Sequence, residues 1–227
     1  MKLPSPSSCA SAGPGARFGV PVYLENDADA AAVGECVRGA GHGFDPVVML
    51  TFGTGIGGAA VVGGQIYRGV RGEHPELGHI PIESGVGAAC YCGIAGCLES
   101  IASGTAIGAA GQAAGFADAR AVFAAAKAGD SAAQALINRA VNAGATAAWT
   151  ICHTLLPERL ILGGGISEEH FDLFAQAMRR RLETATQFTR SAVSIAPAAL
   201  GNDAGIVGAG SLAMQRARLR TLSPAAA

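Results

Sequence analysis

The chain has 227 residues, half of them hydrophobic, with 33 glycines, 15% charged residues and a formal net charge of −1. That length holds one large domain or two small ones around an ample apolar core. The near-neutral balance, with no basic run, gives nucleic acid no electrostatic foothold, and glycine turns and charges break every apolar stretch short of the roughly 18 residues a membrane span needs.

Residues 1–19 are rich in Ser, Pro, Ala and Gly. They lack the apolar centre of a signal peptide and read as a tail outside the fold, which fits a cytoplasmic protein. Val20 to Leu24 then reads as a short strand ending at Glu25-Asn26-Asp27, and Ala28 to Arg38 as an Ala-rich helix. Asp27 has two readings here: the N-cap of that helix, or a general base at a strand–helix junction where α/β proteins meet ligands.

Pro46 to Phe52 and Gly57 to Val62 are apolar strands around Gly53-Thr54-Gly55-Ile56, and Gly63-Gly64 turns the chain into Gln65 to Arg68, completing a β-meander. The segment Gly53 to Gly58 matches G-x-G-x-x-G in form. A dinucleotide site needs a helix after that turn, and Ala59-Ala60-Val61-Val62 continues as strand, which excludes it. A tight hairpin and a phosphate-facing turn, using backbone N–H groups and the Thr54 hydroxyl, both stay open.

The densest chemistry lies between Glu76 and Glu99, where 24 residues carry His79, Cys90, Cys92 and Cys97 between those two flanking carboxylates. Three thiols spaced C-x-C-x4-C with a histidine eleven residues upstream supply the four ligands of a closed tetrahedral Zn2+ site. Such a metal would hold Glu76 and Glu99 in set positions beside it. In a chain this long, the cluster points to metal in a reducing compartment rather than to disulfides. Cys9 falls in the tail, whereas Cys36 and Cys152 sit in helical patterns as core thiols.

Beyond Glu99 the chain is helical: one helix opens at Ser103, a second spans Ala117 to Ala128, and a third spans Ser131 to Leu156 with a buried, nearly apolar middle. His153 near its end reads as a core or helix-end histidine, and Arg179, Arg180 and Arg181 as a solvated face. The strand Arg159 to Leu162 leads through Gly163-Gly164-Gly165 to a helix from Ser167, its expected N-cap, to about Thr184. This unit has the form of a nucleotide-facing turn. A strand Val193 to Ala196 and a helix from Asn202 to Arg220 close the chain.

In this order the blocks resemble the ROK family of repressors and sugar kinases. Glu25-Asn26-Asp27-Ala28, Gly53 to Gly58, Glu76-Leu77-Gly78-His79, the Cys90 to Glu99 block, Leu162 to Gly165 and Leu200-Gly201-Asn202-Asp203-Ala204-Gly205 carry the likeness across about residues 20 to 215. The resemblance implies an α/β, actin-like (ribonuclease-H-like) fold and transfer of the ATP γ-phosphate to a hexose, with Mg2+ on the nucleotide and a structural Zn2+. It makes Asp27 the base. Asn26, Glu76, His79 and Glu99 become sugar ligands, His79 reaching zinc with one ring nitrogen and sugar with the other. Gly53, Thr54, Gly55 and Gly57 become phosphate contacts, and Gly163, Gly164 and Gly165 the adenosine-side turn. The His74-Pro75-Glu76 version looks closest to fructokinase-type members.

Family members usually begin with a lobe bearing Asp-x-Gly-Gly-Thr, a segment this sequence does not contain. The expectation is therefore residues 20–27 as the end of that lobe and 28–227 as the C-terminal lobe, with the zinc loop at 76–99. A non-catalytic sugar- or protein-binding module and a repurposed hydrolase are the alternatives. The last helix, with Ile206, Val207, Leu212 and Met214 on its apolar face, then calls for new packing or a homo-oligomer.

Overall fold

The computed structural model describes residues 19–83, 85, 89–185 and 193–222, the side chains of 219–222 excepted; the tail with Cys9 lies outside them. In chain order the elements are α1 (Asp27–Arg38), β1 (Val47–Phe52), β2 (Ile56–Val62), β3 (Gln65–Ile66), a 3-10 turn (Leu77–His79), α2 (Leu98–Ala102), α3 (Gly104–Ala113), α4 (Ala119–Lys127), α5 (Ser131–Leu155), β4 (Arg159–Gly163), α6 (Gly165–Leu182), β5 (Ser194–Pro197), a second 3-10 turn (Gly201–Asp203) and α7 (Ala204–Leu222).

The five strands form one sheet in the order β3-β2-β1-β4-β5. β1, β2 and β3 are an antiparallel meander, whereas β4 and β5 run parallel to β1, with Val48 opposite Leu160 and Leu160 opposite Ile195. A parallel return from β1 needs a long crossover, and the helices α2 to α5 supply it.

Strand alternation sorts the core to two faces. Val48, Leu50, Phe52, Leu160 and Leu162 pack under α2–α6, while Val47, Met49 and Ile161 pack toward α1 and α7. The expected apolar middle of α5 is buried: Ala140, Ala147, Ala148 and Cys152 are wholly shielded from solvent.

Three local expectations are corrected. Val20 to Leu24 forms no ladder; Val20 and Leu24 are 56% and 72% exposed, and among the described residues no strand lies alongside to pair with them. The cap of α1 is Asn26, whose Oδ1 accepts from the Ala28 and Asp29 amides at 2.9 and 3.1 Å. Ser167 is not a cap, because α6 starts two residues earlier at Gly165; its buried hydroxyl instead donates to the Gly163 and Gly164 carbonyls.

α7 finds its main surface on α1. The two helices approach backbone to backbone, since a Cβ on Gly34 would collide with the Ala204 carbonyl and one on Gly208 with that of Ala30. Leu212 is buried in the seam, whereas Ile206 and Met214 remain exposed. Glu35, fully buried on α1, accepts from the Ala199 and Leu200 amides at 2.9 and 2.8 Å and so fixes the loop entering α7. Among the described residues no helix is long and apolar enough to cross a membrane.

Candidate active site

Because Asn26 caps α1, Asp27 is left exposed at the first helical position. One carboxylate oxygen accepts from the Ala28 amide at 2.8 Å. Its acidic neighbours are treated differently. Glu25 pairs with Arg68 at 2.5 Å and Arg216 at 2.9 Å, and Asp29 pairs with Arg68 at 2.8 Å. Among the described residues no cation lies within ion-pair distance of Asp27. Burial drives the Asp29 carboxyl up, and the Arg68 and His74 charges only partly pull it back.

His74 links this helix start to the next loop. Its Nε2 is 3.4 Å from Asn26 Nδ2 and 3.8 Å from a Glu76 oxygen. The Glu76 side chain is 65% exposed, and its other oxygen lies 3.9 Å from His79 Nε2. Asn26, His74, Glu76 and His79 thus form a continuous polar rim that begins beside Asp27.

His79 Nδ1 faces the thiols, 3.6 Å from Cys90 Sγ and 3.7 Å from Cys97 Sγ. With Cys92 the four donor atoms lie within 4.8 Å of one another. Tetrahedral Zn2+ at ordinary Zn–N and Zn–S lengths separates N and S donors by roughly 3.6 Å, which the His79–Cys90 and His79–Cys97 spacings match. Burial pushes the Cys90 thiol up to about 11. At Cys97 burial also acts upward, but the His79 and Ser100 hydrogen bonds outweigh it and bring the thiol down to about 7. The second ring nitrogen of His79 meets the Tyr91 hydroxyl at 2.8 Å, a contact the sequence pattern did not suggest.

Glu99, two residues after Cys97, leans the other way. Its Oε2 accepts from the Ile56 amide at 2.8 Å, and a Cβ at Gly55 would lie 2.7 Å from that oxygen. Gly55 is thus small because the carboxylate occupies the space. The turn is further pinned by α3, where the Gly104 amide donates to the Gly53 carbonyl and the Thr105 amide and hydroxyl to that of Thr54. The amides of Gly53, Ile56 and Gly57 are engaged within the chain. Among the described residues none accepts from those of Thr54 and Gly55, which are exposed.

Two cavities flank this turn. One of about 780 Å3 runs from Gly53 and Thr54 along the start of α3 to Phe123, Gly165 and His170. The other, about 540 Å3, is lined by Thr54, Gly55, Tyr91 and Glu99. Both fall in the usual range of ligand sites. Asp27 and Glu76 line neither of them. Of the triple glycine only Gly165 reaches the larger cavity. Gly163 packs on Met49 and Ala198, and Gly164, at φ 85°, lies against the Phe52 backbone.

Sequence reading missed Arg68, Tyr91, Phe123 and His170. The last two are stacked with ring centroids 3.9 Å apart, on helices whose pattern carries no catalytic signature. Arg68 had a signal available: Asp29 is a carboxylate inside an apolar helix, and such a group requires a cation.

A sheet of order β3-β2-β1-β4-β5 with glycine turns at its strand ends, joined to a knot of one histidine and three cysteines, has the α/β architecture of the actin-like ATPase fold. The chain belongs to the ROK family, whose model matches residues 15–216. It is 38% identical over 216 residues to the glucokinase of Thermotoga maritima, covering 88% of this chain and 68% of that one. The ROK hexokinase structure from Thermus thermophilus superposes with a TM-score of 0.81 at 36% identity, over 90% of this chain and 68% of that chain. The Streptomyces griseus ROK glucokinase, solved with glucose and AMPPNP, gives 0.74 at 33%, over 88% and 70%. The xylose repressor of Bacillus subtilis is 41% identical over 91 residues, 40% of this chain and 23% of the repressor. The chain spans 64% to 69% of the length of the curated glucokinases it matches.

Proposed function

We propose that this chain transfers the γ-phosphoryl group of ATP to a hydroxyl of a hexose, with glucose as the first substrate to test. The observation that carries the reading is the Asp27 carboxylate, without a cation beside it among the described residues, between two ion-paired neighbours at the edge of a polar rim. Asp27 takes the proton of the acceptor hydroxyl as that oxygen attacks, a contribution of roughly 10²- to 10⁴-fold. Asn26, Glu76, His79 and Glu99 orient the sugar hydroxyls, and the Thr54 and Gly55 amides with the Thr54 hydroxyl meet phosphate oxygens. Mg2+ bound with ATP supplies neutralisation of the charge that builds on the phosphate oxygens. A zinc held by His79 and the three cysteines is coordinatively full, so its part is to hold Glu76 and Glu99 on either side of one knot. The larger cavity, from Gly53 to Gly165, suits the nucleotide.

A coupled phosphorylation assay on glucose, fructose, mannose and N-acetylmannosamine tests the reading, with fructose covering the fructokinase-like His74-Pro75-Glu76 sequence. Turnover no higher than that of Asp27→Ala ends it. The repressor match favours a second reading, sugar binding without transfer, which calorimetric binding in the absence of turnover would support. Exposed Ile206 and Met214 favour a homo-oligomer; a strictly monomeric mass by light scattering at micromolar concentration removes that part.

A further inference from the structure

Arg68 lies outside every motif that carries the family likeness, yet its side chain is the hub of the most buried charge cluster in the described structure. One guanidinium nitrogen, Nη2, reaches Glu25 at 2.5 Å and Asp29 at 2.8 Å. Those carboxylates flank the Asn26–Asp27 pair in sequence, one before the helix cap and one in the first turn of α1. Asp29 is completely shielded from solvent, and Glu25 keeps 11% of its side-chain surface. Arg216 also pairs with Glu25, through its other oxygen at 2.9 Å, and makes no ion pair with Asp29. Two cations thus balance two carboxylates, and only Arg68 spans both sides of the pair.

The remaining donors of Arg68 tie the same group to the next segment. Nη1 donates to the Gly72 carbonyl at 3.1 Å. The Gly69 amide donates to the Glu73 carbonyl at 2.7 Å, closing residues 69–73 into a compact turn. That turn delivers His74 to Asn26, then Glu76 and His79. The strap 68–74 therefore grips the start of α1 at two points, by Arg68 on Glu25 and Asp29 and by His74 on Asn26. Two buried polar atoms in this knot, Asp29 Oδ1 and His74 Nδ1, have no hydrogen-bond partner among the described residues. Such atoms are costly to keep, and their retention here argues for a constraint beyond packing.

We propose that Arg68 is a positioning residue that fixes the Asn26–Asp27 pair against the strap carrying Glu76 and His79. This rests on the sugar-kinase reading for its kinetic consequence but not for its structural one. A guanidinium is suited to this role because its planar fork addresses several acceptors at fixed angles, whereas a lysine ammonium offers a single point of charge. Displacing a catalytic group by about 1 Å can cost on the order of 100-fold in rate.

The test compares Arg68→Met and Arg68→Lys with Arg71→Met, a control on the same strap whose side chain is 85% exposed. Hydrogen exchange at the Ala28, Asp29 and Ala30 amides, which Asn26 holds, reads the clamp directly and needs no activity. Exchange there rises at least tenfold in Arg68→Met and stays native in Arg71→Met; unchanged exchange in Arg68→Met overturns the proposal. In the phosphorylation assay kcat falls roughly 10- to 100-fold in Arg68→Met, with the nucleotide KM unaltered, and Arg68→Lys recovers only part of the loss. A kcat within twofold of native in Arg68→Met also overturns it. If the native chain shows no turnover, the kinase reading fails and the exchange measurement still decides the clamp. Should Arg68→Met not fold, Arg68→Met with Asp29→Asn removes the unpaired buried charge and gives the same readouts.

Discussion

Glu99 Oε2 accepts from the Ile56 amide at 2.8 Å, so a carboxylate two residues past Cys97 holds the end of the glycine turn 43 residues earlier. The loop that gathers the three cysteines and the Gly53–Gly58 turn are one mechanical unit. Glu99→Ala removes the acceptor and strands a part-buried amide, at a cost of about 1–3 kcal/mol. Glu99→Gln keeps an oxygen there and stays near native stability, while weakening sugar binding by about tenfold, the loss of one charge-assisted hydrogen bond. Urea midpoints and sugar KM values for the two variants, taken together, check the distinction.

The His79, Cys90, Cys92 and Cys97 donors lie within 4.8 Å of one another, which predicts one zinc per chain by elemental analysis. Stripping the metal with a chelator leaves thiols and an imidazole crowded without a cation, yet the sheet keeps its own core. The expected result is partial loss of stability, about 3 kcal/mol, or roughly 6–12 °C in Tm for a chain of this size. Cys92→Ala should show the same loss and no further response to chelator. A metal content well below one per chain in intact protein would contradict the ligand set.

The gathering of His79, Cys90, Cys92 and Cys97 was legible in the sequence because thiol and imidazole spacing is itself geometric information. The meander was legible too, since two short apolar runs bounded by the Gly53–Ile56 and Gly63-Gly64 turns mark it. The α1–α7 seam was not. It is built on Gly34 and Gly208, and glycine carries no hydropathy signal, so the apolar face of α7 looked unpartnered. The choice between Asp27 and Asn26 as cap was also hidden: either side chain can accept the amides, and the helix start decides. Val20 to Leu24 has strand composition, but composition cannot supply the neighbouring strand a ladder requires.

Gly34→Ala and Gly208→Ala test that seam. On an exposed helix such changes stabilise by roughly 0.8–1 kcal/mol through propensity. Here each new methyl meets a carbonyl oxygen of the facing helix, and overpacking against backbone costs about 1–3 kcal/mol or more. The sign should therefore reverse, with the urea midpoint falling for both variants and the slope unchanged.

Arg139 on α5 holds Glu83 by two nitrogens, at 2.7 Å from Nη2 and 3.2 Å from Nε, joining the loop between His79 and Cys90 to the helical layer. The Arg139 hydrogen bond lowers the Glu83 carboxyl below its ordinary value. A depressed folded-state value means that the pair stabilises the fold above the unfolded carboxylate pKa, and that this is lost as pH falls through the folded one. Both side chains are about a third or more exposed, so screening limits the coupling to about 0.5 kcal/mol. A double-mutant cycle of Glu83→Gln and Arg139→Met should show that coupling at neutral pH and lose it once the medium is acid enough to protonate the paired carboxylate.

Asn26 and Asp27 are adjacent, yet the structure separates their duties, and substitution should do the same. Asn26→Ala removes the cap that receives the Ala28 and Asp29 amides, costing about 1 kcal/mol of stability and loosening the helix start from which Asp27 projects. Asp27→Asn leaves that cap in place and touches no ion pair, so its unfolding midpoint should stay within error of native. Its effect falls on chemistry: an amide cannot accept the hydroxyl proton, and kcat should drop roughly 10²- to 10⁴-fold with little change in sugar affinity. A stability loss in Asp27→Asn comparable to that of Asn26→Ala would show that the carboxylate is part of the fold rather than a group held ready beside it.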